Sequence, residues 1–286
     1  MRHLLTAWQK LETDVRDRTV VLFLDYDGTL TPIAPTPSQA RLSVAAKKTL
    51  KSLAGIEDLR IVVVSGRALE ELKSLVGIPN LTYVGNHGLE VASPDLSFVH
   101  PQAVSAKNLV EKIKSRLKLV LKPFRGVLIE DKVFALGIHY RKLPVQKVTE
   151  ARNIFEKAVR PYVRAGKVGV FEGKKVWELR PTLQWNKGTT VLWLYGRVLA
   201  QTAEEKILPI YIGDDRTDED AFRSLKPVGL SVKVALDEAE ALLSDADYYL
   251  KSPAEVIEFL ERVKAVKIKS ASLKSGLKKE KEHAAV

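Results

Sequence analysis

The sequence predicts an α/β fold in which a mostly parallel sheet is interrupted by a smaller α+β domain. Two observations support this prediction. Short apolar runs alternate with helical patterns before residue 102 and again after residue 180, and strands that alternate with helices imply β-α-β crossovers. Between these regions the order changes to α-β-β-α-β-β, which does not continue the parallel sheet.

The first region opens with "VVLFLDYD", which is apolar and β-branched enough for a strand buried on both faces. A helical pattern follows over 44–53, and "LRIVVVSGR" is the next strand. Apolar residues spaced by three or four predict a helix over 69–76, before the short strand "LTYVGNHG". After residue 180 the alternation resumes with "LPIYIGDDRTDED", the helix "DAFRSL", the strand "LSVKVA" and a last helix over 254–263.

The middle region has a different pattern. Residues 103–122 resemble a basic helix, and "RGVLIEDKVFALGIHYR" two strands joined by a turn at 130–132. A second helix over 145–159 precedes another strand pair, "KVGVFEGKKVWELR". We therefore predict a discontinuous core formed by residues 1–102 and 180–265, an inserted cap domain over 103–179, and a flexible basic tail over 266–286.

Composition and charge exclude several classes of protein. The 286 residues carry a net charge of +11, but the stretch 262–286 holds eight Lys or Arg and two Glu, which leaves +5 for the other 261 residues. A solvated basic end explains this tail better than a binding arm does. The core shows no RNA- or DNA-binding signature. A modest positive charge suits an anionic substrate.

The cellular location of the protein is predicted from three features that the sequence does not contain. No apolar run reaches the roughly 18 residues of a membrane span, and the N-terminal stretch resembles a helix rather than a signal peptide. The chain has no cysteine, so disulfides, zinc-thiolate sites and a cysteine nucleophile are excluded. These features favour a cytoplasmic protein.

Polar residues follow four of the predicted strands. In an open parallel sheet, ligands bind beyond the carboxyl ends of the strands, so we expect these residues to converge on one crevice. They are Asp25 with Asp27, Ser65-Gly66-Arg67, Asn86 with His87, and Asp214 with Asp215.

The acids among them predict a metal site. They have no histidine or thiolate beside them as co-ligands, which favours Mg²⁺ over zinc. Asp25 and Asp214, together with Asp215 or Asp218, are the candidate ligands. Since Mg²⁺ in proteins is usually shared with substrate phosphate, the acids indicate phosphate chemistry.

The same set supplies candidate catalytic groups. Asp25 could attack phosphorus and form an aspartyl-phosphate. Asp27, two residues on, could protonate the departing oxygen and afterwards activate water. Ser65, the backbone at Gly66, and Lys187 in "QWNKGTT" could hold the phosphoryl oxygens.

These residues resemble the haloacid dehalogenase (HAD) superfamily of phosphohydrolases, whose four signatures match "DYDGT", Ser65, Lys187 and "GDDRTDED" in order. The resemblance implies a Rossmann-like core with a cap, here of the C2B type, and Mg²⁺-dependent chemistry through an aspartyl-phosphate. It also implies that Asp25, Asp214 and the backbone carbonyl of Asp27 hold the metal.

A closer resemblance is to the trehalose-6-phosphate phosphatase family. It extends over about residues 20–260 and rests on "LDYDGTLTPI", "SGR", "NHG", "IEDKVFALGIHYR", "GKKVWELRP", "WNKG" and "GDDRTDEDAF". It implies hydrolysis of trehalose 6-phosphate to trehalose and phosphate, the last step of trehalose biosynthesis. The sequence leaves no room for the synthase domain of bifunctional relatives. We expect a monomer that acts alone or with a separate trehalose-6-phosphate synthase.

In this family the cap offers charged residues to sugar hydroxyls, for which carboxylates are acceptors and lysines and arginines are donors. Ordinary cross-strand ion pairs would explain the cap charges equally well. His87 by itself is more typical of a packed loop histidine, and Asn86 stands where the family often has an acid. The candidate substrate-binding residues are Arg67, Asn86, His87, Glu130, Lys132, Arg141, Lys174, Lys175 and Glu178.

Other functions stay open at this point. A phosphatase of sucrose phosphate or glucosylglycerol phosphate would need the same core, and a phosphomutase would also pass through an aspartyl-phosphate. A non-catalytic partner that binds sugar phosphate and regulates a synthase is the alternative from another class. The intact set of Asp25, Asp27, Lys187 and Asp214 argues against it.

Overall fold

A computed structural model describes the backbone of residues 1–201 and 207–284, and the side chains of residues 1–200 and 207–273. Its helices and strands are as follows. The strands are β1 (Arg2–His3), β2 (Thr19–Asp25), β3 (Leu59–Val64), β4 (Thr82–Gly85), β5 (Glu90–Ser93), β6 (Leu96–Val99), β7 (Leu128–Asp131), β8 (Leu136–His139), β9 (Val168–Gly173), β10 (Val176–Pro181), β11 (Ile207–Gly213), β12 (Leu230–Val234) and β13 (Tyr248–Leu250). The α-helices are α1 (Trp8–Asp17), α2 (Val44–Leu53), α3 (Leu69–Val76), α4 (Pro101–Val120), α5 (Val145–Arg164), α6 (Lys187–Gln201), α7 (Glu219–Leu225), α8 (Glu238–Ala241) and α9 (Pro253–Ala284).

The larger sheet has the strand order β1-β13-β12-β11-β2-β3-β4-β5-β6. Pairing is parallel from β1 to β4. The hairpin of β5 and β6 extends the sheet in antiparallel fashion. The predicted α/β class with a parallel sheet is confirmed, whereas the β5–β6 hairpin was not predicted.

Strand β2 at the centre of this sheet is buried on both faces, as its unbroken apolar run predicted. Val20, Leu22 and Leu24 join the hydrophobic cluster on one face. Val21 and Phe23 join the cluster on the other face. The alternation follows from the two-residue period of a strand, and it holds the end of β2 rigidly in the middle of the fold.

The cap is formed by a second, antiparallel sheet with the order β7-β8-β10-β9. Helices α4 and α5 cover one face of it. On that face Trp177, Leu179 and Phe155 belong to a hydrophobic cluster separate from those of the larger sheet. The predicted α-β-β-α-β-β order is thus present. The predicted limits of the cap, 103 and 179, lie within α4 and β10 and stay a prediction.

Two local predictions were wrong. The turn predicted at 130–132 lies later, because β7 continues to Asp131 and the chain reverses between Lys132 and Ala135, whose backbone groups are hydrogen-bonded at 3.0 Å. The last helix was predicted to end near Val263, but α9 continues to Ala284. Residues 264–275 contain neither proline nor glycine, and Val266 packs into the core. The flexibility of the tail stays a prediction.

None of the described helices has both the length and the apolar character that crossing a membrane would require.

Candidate active site

The polar residues predicted at the strand ends converge on one edge of the larger sheet. Strands β11, β2, β3 and β4 are neighbours, and they end at or just before Asp214, Asp25, Ser65 and Asn86 respectively. A cavity of about 910 Å³ separates this edge from the cap. Its lining combines residues of the core and the cap, as expected for a site at the carboxyl ends of parallel strands.

Three buried carboxylates form the floor of the cavity. Asp25, Asp214 and Asp218 each have an oxygen within 4.8 Å of the other two. Lys187, at the start of α6, donates to Oδ1 of Asp25 at 2.6 Å and to Oδ1 of Asp218 at 2.7 Å. Tyr211 donates its hydroxyl to the same Asp218 oxygen at 2.6 Å. One lysine thus links Asp25, at the end of β2, to Asp218, which follows β11.

Burial and mutual repulsion perturb these acids in different directions. Burial, with the negative charges of Asp218 and Asp214, raises the pKa of Asp25 well above its ordinary value despite Lys187. Burial likewise raises the pKa of Asp214 to about 6, against the opposing charge of Lys174. Burial would also raise the pKa of Asp218, but Lys187 and Tyr211 outweigh it and lower that pKa. The cluster as a whole therefore favours a further positive charge.

A divalent cation fits these residues. All three side chains offer hard oxygen atoms, and Oδ1 of Asp214 is buried without a hydrogen-bond partner among the described residues. Gly28 leaves the space for that carboxylate, because a Cβ at Gly28 would lie 2.0 Å from Oδ2 of Asp214. The side chain of Asp215 lies outside the three-acid cluster and accepts a hydrogen bond from the backbone of Arg216.

Asp27 is held by Arg67 rather than by the acid cluster. The guanidinium donates from Nε to Oδ2 at 2.6 Å and from Nη2 to Oδ1 at 2.7 Å. Arg67 also donates to Glu71 at 2.6 Å and to the carbonyl of Pro37 at 2.9 Å. Asp27 remains 38% exposed and lines the cavity. Arg67 thus fixes the position of the Asp27 carboxylate. The sequence predicted Arg67 as a substrate-binding residue and did not predict this contact.

The predicted phosphate-binding residues lie beside the acids. Ser65, Gly66 and Lys187 all line the cavity. Oγ of Ser65 accepts a hydrogen bond of 3.2 Å from the backbone N–H of Arg67. A Cβ at Gly66 would lie 2.3 Å from the imidazole of His87, so this ring packs directly against the Ser65–Gly66 turn.

Glu178, on the cap strand β10, lines the cap side of the cavity, which we call its roof, and its carboxylate accepts hydrogen bonds from several neighbours. Lys132 donates to its Oε1 at 3.0 Å, and Nε2 of His87 lies 3.1 Å from the same oxygen. Arg180 donates to Oε2 at 2.9 Å. Burial alone would raise the pKa of Glu178, but Lys132 and Arg180 lower it well below its ordinary value. His87 thus joins the core to the cap.

His87 is held as a neutral ring. Burial and the charge of Arg180 lower its pKa to about 3, although Glu178 opposes the shift. Nδ1 of His87 is buried and has no hydrogen-bond partner in the part of the chain that the structure describes. A protonated ring would carry an unsatisfied N–H at that atom, which agrees with the lowered pKa.

The other substrate candidates occupy different places. Lys174, in the turn between β9 and β10, reaches the core and donates to Oδ2 of Asp214 at 2.8 Å. Arg141 lines the cavity and donates to the carbonyl of Lys174 at 3.0 Å. Glu130 lines the cavity too, with Oε2 2.6 Å from Nε2 of His139. Lys175 is exposed and is not part of the lining.

Asn86 lies behind the cavity wall. Its amide donates to Glu90 at 2.5 Å and to the carbonyl of Lys132 at 2.7 Å. An acid at this position would place a second carboxylate against Glu90, and the two would repel each other. The amide avoids this repulsion, and its hydrogen bond to the carbonyl of Lys132 links the core to the cap turn.

Sequence reasoning missed several residues that line the cavity, among them His139, Phe171 and Arg180. The two-residue period of a strand is the signal that could have identified Arg180. Arg180 follows Glu178 by two residues, so both lie on one face of β10. Phe171 is the cross-strand partner of Glu178. Only the register of the cap sheet makes Phe171 a neighbour of Glu178, and one sequence does not fix that register.

Comparison with known proteins places this architecture in a family. A family model described as trehalose-phosphatase matches residues 23–254. The chain belongs to the trehalose-phosphatase family. Trehalose-phosphate phosphatase from Mycobacterium tuberculosis is 35% identical over 259 residues, which are 90% of this chain. Trehalose-phosphate phosphatase B from Arabidopsis thaliana is 29% identical over 268 residues, which cover 91% of this chain and 70% of that protein.

The solved structures give the same result for the fold. The C-terminal domain of trehalose-6-phosphate phosphatase from Candida albicans matches with a TM-score of 0.75 and 25% identity, over 90% of this chain and 96% of that one. This agreement confirms the predicted HAD-type fold. The chain spans 64% of the length of the mycobacterial relative.

Proposed function

We propose that this chain is a Mg²⁺-dependent phosphatase that hydrolyses trehalose 6-phosphate to trehalose and phosphate through an aspartyl-phosphate on Asp25. The observation that carries this proposal is the position of Lys187, which bridges Asp25 and Asp218 on the floor of a cavity roofed by charged cap residues. Family membership supports the substrate. A separate trehalose-6-phosphate synthase would supply it.

The metal would be held by the acids of the floor. Asp25, Asp214 and Asp218 fit it through their clustered oxygens, and the backbone carbonyl of Asp27 completes the set that the family resemblance implies. When bound, Mg²⁺ would supply positive charge beside the substrate phosphate. Asp215 stays a predicted ligand, and its carboxylate would first have to leave the backbone N–H of Arg216.

Formation of the aspartyl-phosphate would use Asp25, Asp27, Ser65 and Lys187 in different roles. Lys187 binds Oδ1 of Asp25, so we assign the attack on phosphorus to Oδ2. Lys187 and Ser65 would hold the phosphoryl oxygens during attack. The bond between phosphorus and the sugar oxygen breaks as that oxygen takes a proton from Asp27, which would act from its protonated form with one of its two Arg67 hydrogen bonds given up.

Hydrolysis of the aspartyl-phosphate would use the same groups again. Water attacks phosphorus, its proton passes to Asp27, and the bond to Asp25 breaks to release phosphate. Arg67 keeps the Asp27 carboxylate in place through two parallel hydrogen bonds. Lys174, which joins the cap to Asp214, would help to exclude bulk water from the closed cavity.

Paired carboxylate-to-amide variants test this proposal. We expect Asp25→Asn to slow phosphate release at least about a thousandfold, because the nucleophile is lost. Asp27→Asn should slow it about a hundredfold or more through loss of the proton donor. The matched control is Asp14→Asn, an exposed acid on α1 that pairs with Arg18, and it should retain full turnover.

The readout is phosphate release together with acid trapping of labelled phosphoenzyme. Asp25→Asn should show no trapped label. Turnover near the wild-type rate in Asp25→Asn, with deamidation excluded by mass spectrometry, would contradict the assigned nucleophile. Transfer of the label to a second sugar position instead of to water would identify a phosphomutase.

A further inference from the structure

The cavity-facing side of the cap sheet carries one row of side chains across its four strands. The register places Phe171 of β9 opposite Glu178 of β10, Glu178 opposite Gly137 of β8, and Gly137 opposite Glu130 of β7. Directly paired residues point to the same face of a sheet. An aromatic ring at one edge therefore shares the roof of the cavity with two carboxylates.

Phe171 is exposed although it is a large apolar residue. Its side chain is 46% exposed, and it contributes the only phenyl, phenol or indole ring among the described residues that line the cavity. Charged and small residues make up most of the remaining lining. An isolated surface phenylalanine would need no explanation, but one placed inside a polar cavity indicates a contact with ligand.

The ring is held in a fixed orientation by its own sheet. Arg180 lies over it, with its guanidinium carbon 4.8 Å from the ring centroid. Gly169 lies at one edge of the ring, since a Cβ at Gly169 would be 2.9 Å from Cε2 of Phe171 and 3.2 Å from its Cζ. Gly169 and Arg180 are themselves cross-strand partners. These contacts fix the ring before a ligand binds. A ligand that packs on its exposed surface would therefore not have to order this side chain.

The position of Phe171 along β9 sets its distance from the phosphate end of the cavity. Lys174, three residues further along the chain, contacts Asp214 in the acid cluster. At roughly 3.3 Å per residue, the Cα of Phe171 lies up to about 10 Å from the Cα of Lys174, and the side chain of Lys174 adds further distance to the acid cluster. A phosphate held over Asp25 would therefore leave its sugar chain extending along the cap sheet toward Phe171.

We propose that Phe171 is a specificity-determining residue, against which the sugar ring that does not carry the phosphate packs with its C–H face. A pyranose offers hydroxyls at its edge and C–H groups on its faces. The carboxylates of Glu178 and Glu130 suit the edge, and the phenyl ring suits a face. The inference rests on the proposed phosphatase function and extends it, because it explains how a disaccharide phosphate is preferred to a monosaccharide phosphate.

The test compares trehalose 6-phosphate with glucose 6-phosphate, which lacks the second ring. For Phe171→Ala we expect KM for trehalose 6-phosphate to rise about tenfold, the loss of one apolar and aromatic contact. The kcat for that substrate should change less than about twofold, since the reacting groups are untouched. Turnover of glucose 6-phosphate should not change, and Phe171→Tyr should restore the low KM.

Leu128→Ala is the matched control. Leu128 is an exposed apolar residue of β7 in the same sheet, 52% exposed, and outside the cavity lining. It should leave both substrates unaffected. A Phe171→Ala enzyme with unchanged KM for trehalose 6-phosphate, or with equal losses on both substrates, would overturn the inference while the proposed function stands. A wild-type enzyme without turnover of trehalose 6-phosphate would overturn both.

Discussion

Replacing His87 by glutamine should remove a specific loss of stability at acidic pH. The imidazole is buried between the core and the cap, with Nε2 3.1 Å from Glu178. None of the described residues offers Nδ1 a hydrogen bond. Burial and Arg180 lower the pKa of His87 to about 3. In the unfolded chain the same group titrates near its ordinary value of about 6.5.

The sign and size of the effect follow from linkage. Between about pH 6.5 and pH 3 the unfolded chain binds a proton at His87 that the folded chain does not. The folded state is therefore destabilised as the pH falls through this window. Relative to pH 7, the loss at pH 5 is about 2 kcal/mol, and it depends little on the folded pKa as long as that value stays below about 4.

Urea denaturation of the wild type and of His87→Gln at pH 8, 7, 6 and 5 measures this contribution. Effects of the carboxylates are common to both proteins and largely cancel in the difference. From pH 7 to pH 5 we expect the free energy of unfolding to shift by about 2 kcal/mol in favour of the variant. From pH 8 to pH 7 the difference should stay constant. Parallel pH profiles would refute the assignment of a neutral buried imidazole.

Three further variants test the floor of the cavity. Gly28→Ala would place a Cβ 2.0 Å from Oδ2 of Asp214 at a backbone φ of +91°, so we expect loss of metal binding in calorimetry and an activity at least about a hundredfold lower. Arg67→Met should lower kcat about tenfold or more because Asp27 loses its bidentate partner, and Arg67→Lys should recover only part of it, which steady-state kinetics would reveal. Tyr211→Phe removes the hydroxyl that donates a 2.6 Å hydrogen bond to Oδ1 of Asp218. Urea denaturation should therefore show a free energy of unfolding lower by about 1 kcal/mol. An unchanged free energy of unfolding would contradict a stabilising role for this hydrogen bond.

Much of the core could be predicted from the sequence because local signals and global packing agree there. The run that ends at Asp25 is apolar throughout and lies at the centre of the sheet. The polar residues that follow the parallel strands meet at one edge for the same topological reason. Asp25, Ser65 and Asp214 are therefore predictable from their positions after these strands, whereas Lys187, at the start of α6, was predicted from its charge and its sequence context.

The cap was harder to predict because its polar residues face a cavity instead of solvent. A polar triplet such as 130–132 is typical of a turn, yet Glu130 lies on β7 and points into the site. Arg67 lines the cavity and stays a predicted substrate residue, but its contact with Asp27 follows from the fold and was not predicted. Phe171 becomes a neighbour of Glu178 only through the strand register. Contacts of this kind depend on tertiary structure, which no local pattern encodes.

Phosphate release from a panel of trehalose 6-phosphate, sucrose 6-phosphate, glucose 6-phosphate and mannose 6-phosphate, each with Mg²⁺ and with EDTA, tests the proposed activity most directly. We predict a strong preference for trehalose 6-phosphate that EDTA abolishes and excess Mg²⁺ restores. Metal-dependent release that favours another of these sugars would contradict the assigned substrate. Release from none of them would contradict the phosphatase activity itself.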